Sequence, residues 1–177
     1  MPELSGCIIL YTRDSSHYPA FRNRIAALGG TTYHLPLMAT IPQPLSAADR
    51  AILDDSDTLV FTSAAAVQHL LAQYRLRGQQ TVAIGSATAA AMPRPPDRCA
   101  PPPYNSEALL AAWQPRGARI ALIAAPDGRT KLAEILSPNN TVRTIQPYCR
   151  INPSAHYPAS LPIPHIITIA SRQTCLQ

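Results

Sequence analysis

Short apolar runs alternate with small polar clusters and Ala-rich segments along this chain, most plainly over residues 57–92. Leu59-Val60-Phe61 stops at Thr62-Ser63. In the segment that follows, Val67, Leu70, Leu71 and Tyr74 recur at i, i+3, i+4 and i+7, which is one face of a helix. The pattern then repeats: Val82-Ala83-Ile84 stops at Gly85-Ser86, and residues 87–92 form a second helix that Pro93 ends. Continuous apolar runs this short fit strands covered on both faces. Strand, polar turn and helix in repetition predict a parallel sheet.

The remaining chain extends the alternation. Residues 7–11 form a first strand ending at Thr12-Arg13, and Ser15 or Ser16 is placed to cap a helix with Phe21, Ile25 and Leu28 on one face. Gly29-Gly30 closes that helix, and residues 32–37 form the second strand. Residues 36–44 are extended and proline-punctuated, as in a crossover between domains. Ser46 and Asp49 have the spacing of a capping box. Residues 93–103 hold six prolines, with room for one short strand at Arg98-Cys99-Ala100. Asn105 then caps a helix carrying Glu107 in its first turn and Leu109, Leu110 and Trp113 on one face. Residues 119–124 are the next strand. Asp127-Gly128-Arg129 opens a helix with Leu132, Ile135 and Leu136 inward and Pro138 as its stop. Residues 142–147 are a strand running into Tyr148-Cys149-Arg150, and residues 165–170 are one more, ending at Ser171.

Composition narrows the chemistry. Hydrophobic residues make up 46% of the 177, enough for a core, and the net charge of +5 favours an acidic partner. Lys131 is the only lysine, so the positive charge is nearly all arginine, whose fork matches carboxylate and phosphate. The arginines are scattered and not interleaved with aromatics, which disfavours nucleic acid. The cysteines at 7, 99, 149 and 175 form no C-x-x-C pair, and neither they nor the five histidines have zinc or triad spacing. His34 and His165 flank strands and read as structural. There is no dinucleotide fingerprint, Walker loop, nucleophile elbow or H-E-x-x-H. The N-terminal apolar run is too short for a signal peptide or a membrane span, so a cytoplasmic, reduced protein without a membrane partner is expected.

In parallel sheets ligands bind outside the carboxyl ends of the strands. Thr62, Ser63, Gly85, Ser86 and Thr88 fall there, beside helix N-termini whose free N–H groups suit an anion. The plainer reading of Ser63 and Ser86 is as N-caps, each worth about 1 kcal/mol.

Several segments, taken in order, resemble uroporphyrinogen-III synthases. They are Leu10-Tyr11-Thr12-Arg13; Ala27-Leu28-Gly29 leading to Leu35-Pro36-Leu37; Val60-Phe61-Thr62-Ser63 with Ala66-Val67; and Ile84-Gly85 with Ala87-Thr88-Ala89. Further on come Tyr104-Asn105-Ser106-Glu107-Ala108-Leu109-Leu110; Gly128-Arg129 with Leu132-Ala133-Glu134; and Tyr148-Cys149-Arg150. The resemblance implies an α/β protein of two flavodoxin-like parallel-sheet domains joined by a two-stranded linker. Residues 1–37 with 152–177 would be a discontinuous first domain, 45–146 the second, and 38–44 and 147–151 the linkers. The first domain would be incomplete at its C-terminus. At roughly 25 residues per strand-plus-helix unit, the resemblance implies that two or three units would be missing. Ala64 and Ala65 depart from the family, which often places a polar residue there, as does a missing glycine before the proline-rich loop.

The implied reaction cyclises hydroxymethylbilane to uroporphyrinogen III, with loss of water and inversion of the terminal ring through a spiro intermediate. It needs no cofactor and no metal. The protein would act as a monomer on a small-molecule partner, a linear tetrapyrrole polycarboxylate. Tyr148 matches the family's linker tyrosine and would donate a proton or position the substrate; its plainer reading is packing between domains. Arg13, Thr62, Ser63, Gly85, Ser86, Thr88, Asn105, Ser106, Arg129 and Ser171 would hold the carboxylates. Two other readings stay open: an α/β module that binds a polycarboxylate without catalysis, and a flavodoxin-like signalling domain. The second is disfavoured because Lys131 sits inside a helix.

Overall fold

Apolar triplets and quartets become the strands, and the Ala- and Leu-rich segments between them become the helices. The structure, a computed structural model, describes residues 2–13, 15, 17–126, 131–153 and 157–169. In chain order the elements are β1 (Ile8–Tyr11), α1 (Tyr18–Ala27), β2 (Thr31–His34), β3 (Ala39–Pro42), α2 (Ala47–Asp55), β4 (Thr58–Phe61), α3 (Ala64–Leu71) and β5 (Gln80–Ala83). There follow α4 (Ser86–Ala90), β6 (Arg98–Cys99), α5 (Ser106–Ala112), β7 (Arg119–Ile123), α6 (Lys131–Leu136), β8 (Thr141–Ile145), β9 (Tyr148–Ile151) and β10 (Ile166–Thr168). By contact density the chain divides into two units, Met1–Thr40 with Arg150–Gln177, and Ile41–Cys149. β3 and β9 form a two-stranded sheet.

The larger unit carries a five-stranded sheet in the order β6-β5-β4-β7-β8, with every pairing parallel. Counted along the chain this order is third, second, first, fourth, fifth. Flavodoxin-type sheets run second, first, third, fourth, fifth. Here the chain adds two strands on one side of β4 before α5 carries it back to the other. β4 is buried at all four positions, and its side chains alternate between two cores. Leu59 and Phe61 pack with Ala83, Ala121, Ile123 and Ile145 beneath α3, where Ala66, Val67 and Leu70 close the layer. Val60 packs with Val82, Ile120 and Leu122 on the opposite face, covered by Leu109, Trp113, Leu132 and Leu136. The period-2 alternation of a strand sorts one apolar run into two cores.

The smaller unit has a three-stranded parallel sheet in the order β10-β1-β2. α1 lays Tyr18 and Phe21 against Tyr11 and His34, with the Tyr18 and His34 rings stacked at 4.3 Å. The cap of α1 differs from expectation. His17 is the N-cap residue and makes no side-chain cap bond. Pro19, fixed in helical φ in the first turn, sets where the helix starts. Ile135 also differs, being 46% exposed where an inward position was expected. Among the described residues of α6, Leu132 and Leu136 at i, i+4 take up the buried arc.

At the amino ends of β4 and β7, Arg119 holds Asp57 in a fork: Nη2 donates to Oδ1 at 2.6 Å and Nε to Oδ2 at 3.2 Å. The Arg119 backbone N–H also donates to Oδ2 at 2.9 Å. These bonds lower the Asp57 carboxyl from its ordinary 3.8 to about 2. A carboxylate depressed in the folded state stabilises the fold above its unfolded pKa and loses that contribution as pH falls through the folded one. Asp57→Asn should therefore lower the urea midpoint at pH 7. The gap from the parent should narrow between about pH 4 and pH 2 and close below, and it should shrink with added salt because the pair is exposed. Urea titrations across that range check it.

Candidate functional site

The carboxyl ends of β4, β5, β7 and β8 lie along one edge of the larger unit's sheet, and the polar turns predicted from sequence fall there. Thr62 follows β4 directly. Its hydroxyl donates to the Ile123 carbonyl at 2.9 Å, beside the 3.2 Å bond from its own backbone N–H. That hydroxyl closes the end of the β4–β7 ladder. Ser63 is the N-cap of α3, accepting from the Ala66 N–H at 3.0 Å. Its Oγ also lies 3.0 Å from the Tyr148 hydroxyl. Ser63 is thus both the cap and half of a hydroxyl pair.

Tyr148 opens β9 and is 1% exposed, among the core residues of the α3 face. Its ring stacks on His69 of α3, with centroids 5.1 Å apart and planes at 14°. Burial pushes His69 below the usual histidine range, so the imidazole facing Tyr148 is neutral at pH 7. The backbone entering Tyr148 is held as well. The Pro147 carbonyl accepts from the Gln43 N–H at 2.9 Å and from Gln73 Nε2 at 3.5 Å. Gln73 Nε2 also donates to the carbonyls of Gln43 and His69, and its Oε1 accepts from the Leu45 N–H.

At the neighbouring end of β5, Gly85 is the N-cap of α4 and is buried. Its backbone is extended, a conformation open to any residue. Its lack of a side chain matters for contact instead: a Cβ there would sit 3.0 Å from the Tyr104 Cβ. Tyr104 itself has φ of 59°, unusual for a residue with a side chain. The loop it ends leads straight into α5, where Asn105 Oδ1 accepts from the Ala108 N–H at 2.8 Å. Ser86 is exposed, while Thr88 and Ser106 are buried. Among the described residues no hydrogen bond engages the hydroxyls of Ser86, Thr88 and Ser106, unlike that of Thr62.

Arg13 lies in the smaller unit, exposed just beyond β1, where its carbonyl accepts from His34 Nε2 at 2.8 Å. Arg129 and Ser171 fall outside the described residues. Among the described residues no group of three or more His, Cys, Asp and Glu could hold a metal ion, and no helix is long and apolar enough to cross a membrane. The sequence pattern did not single out His69, Gln43 or Gln73. The one trace it offered was a histidine two residues beyond Val67 on a helix whose next positions, Leu70 and Leu71, are apolar.

A parallel sheet with helices on both faces, and with hydroxyls and a buried tyrosine at the carboxyl ends of its strands, belongs among the open α/β proteins. The family is more definite: the model described as uroporphyrinogen-III synthase HemD matches residues 19–175, and the chain belongs to that family. Among solved structures, a mutant uroporphyrinogen III synthase of the bacterium Thermus thermophilus superposes with a TM-score of 0.61 at 23% identity. The wild-type enzyme of the same organism, in another crystal form, gives 0.50 at 23%. Each match covers 82% of this chain and 63% of the other, so the chain spans under two thirds of the length of those enzymes. At that identity the likeness is one of fold. No curated protein matches the chain by sequence.

Proposed function

We propose that the chain cyclises hydroxymethylbilane to uroporphyrinogen III, releasing water and inverting the terminal ring, without cofactor or metal. The observation that carries this reading is the Ser63–Tyr148 hydroxyl pair at the strand edge of a member of this family. The reaction starts when the terminal hydroxymethyl group leaves as water, and it needs a proton for that group. Tyr148 is too buried to meet substrate over much of its surface, whereas Ser63 is half-buried and shares its hydrogen bond. Ser63 hands its proton to the departing hydroxyl as it takes the phenol proton. The phenolate regains a proton when the closing pyrrole loses one to restore its aromaticity.

The substrate's carboxylates need donors that are not already engaged. Ser86, Thr88 and Ser106 supply hydroxyls, and the Gly85 turn and Asn105 supply backbone. Arg13, Arg129 and Ser171 enter this reading from the family resemblance alone, not as donors known to be unengaged. Thr62 keeps its hydroxyl in the ladder and contributes only the acceptor side of its oxygen. In this reading residues 1–37 with 152–177 and residues 45–146 are the family's two domains, and 38–44 and 147–151 are its linker strands. The protein works in the cytoplasm as a monomer.

The test is to supply the purified chain with enzymatically generated hydroxymethylbilane and resolve the oxidised porphyrins by isomer. An excess of type III is expected. Type I alone, from protein shown by circular dichroism to be folded, would overturn the assignment of activity to this chain.

A further inference from the structure

α3 touches Tyr148 at three levels. Ser63, its N-cap, meets the phenol hydroxyl at 3.0 Å. His69, within the helix, lies flat against the ring. Gln73, just beyond its end, bonds the His69 carbonyl at 3.2 Å and reaches the Pro147 carbonyl at 3.5 Å. Tip, face and root of one side chain are therefore referenced to a single rigid element. The tip and root contacts are hydrogen bonds at the two ends of the side chain, and the ring between them is buried in the α3 core. His69 is the aromatic group stacked on that ring, its plane 14° from the phenol's.

We propose that His69 is a positioning residue for Tyr148, holding the phenol ring so that its hydroxyl stays on Ser63. This rests on the proposed role of the Ser63–Tyr148 pair in the cyclisation. The stacked plane does the work in this proposal. A planar hydrocarbon of similar breadth should serve in its place. A displaced acid costs rate while carboxylate binding elsewhere in the site is untouched.

Three variants test this in the full chain: His69→Ala, His69→Phe and Tyr148→Phe. Kinetics with hydroxymethylbilane should show kcat for type III formation about tenfold lower in His69→Ala with KM little changed, and His69→Phe close to the parent. A second readout needs no turnover. With ring-labelled tyrosine incorporated for carbon NMR, the signal lost in Tyr148→Phe identifies Tyr148 among the seven tyrosines. That signal should shift and report a more mobile ring in His69→Ala, and return to parent values in His69→Phe.

Unchanged kcat in His69→Ala would overturn the proposal. So would loss of kcat that His69→Phe fails to restore while the Tyr148 signal stays as in the parent, because His69 would then act by its own chemistry. If the parent chain forms no type III isomer, the functional reading fails on its own. The positioning claim then stands or falls with the ring signal: an immobile Tyr148 in His69→Ala overturns it.

Discussion

Tyr148→Phe slows formation of the type III isomer by about a hundredfold or more and leaves the chain folded. The change removes one oxygen. The ring that stacks on His69 remains, so packing in the α3 core is retained. Ser63 still accepts from the Ala66 N–H, so α3 keeps its cap. What is lost is the partner 3.0 Å from Ser63 Oγ, and with it the source of the proton for the leaving hydroxyl. The structural cost is that of one hydrogen bond, about 1 kcal/mol. A hundredfold in rate is about 2.7 kcal/mol of barrier. A urea midpoint near the parent's, with kcat down and KM nearly unchanged, is the expected outcome. If kcat and stability fell together, Tyr148 would be a packing residue and no more. Ser63→Ala is a poorer test, because it strips the cap and the relay at once.

The local parts of this arrangement were legible in the sequence. Ser46, Ser63 and Asn105 cap their helices through bonds to the residue three positions on, so neighbouring letters decide them. The buried runs of β4, β5 and β7 were legible because a strand covered on both faces has no polar side to show. Contacts of long reach were not. Ser63 meets Tyr148 across 85 positions, and that meeting depends on β4 and β7 being adjacent strands with β8 next to β7. Nothing in a run of apolar residues specifies that order. His69 escaped notice for the same reason, since its partner ring lies on β9, far along the chain and outside any local pattern. The helix that Ser15 or Ser16 was expected to cap has His17 as its N-cap instead, with Pro19 in its first turn; Ser16 lies outside the described residues.

Phe61→Ala should cost the larger unit about 3–5 kcal/mol, a large share of the roughly 5–15 kcal/mol that stabilises an ordinary domain. Phe61 is fully buried in the central strand, with β5 on one side and β7 on the other. Its side chain lies in the core that also holds Val67, Leu70, Ile123, Ile145 and Tyr148. Flanking strands fix the backbone on both sides, so the void cannot close by local collapse, and the cost should sit high in that range. Phe61→Leu keeps most of the volume and should cost under about 1.5 kcal/mol. Urea unfolding followed by circular dichroism measures both. The functional consequence separates this core from the site it carries. Phe61 immediately precedes Thr62 and Ser63, yet it offers no group to a substrate. Activity in Phe61→Ala should therefore track the folded fraction and recover when cooling or a stabilising osmolyte refolds the chain. Tyr148→Phe should show the reverse, a folded chain whose lost rate no stabilising condition restores. Activity that stayed low in fully refolded Phe61→Ala would mean that the strand end had moved, and that the position of the Ser63 hydroxyl depends on the packing beneath it.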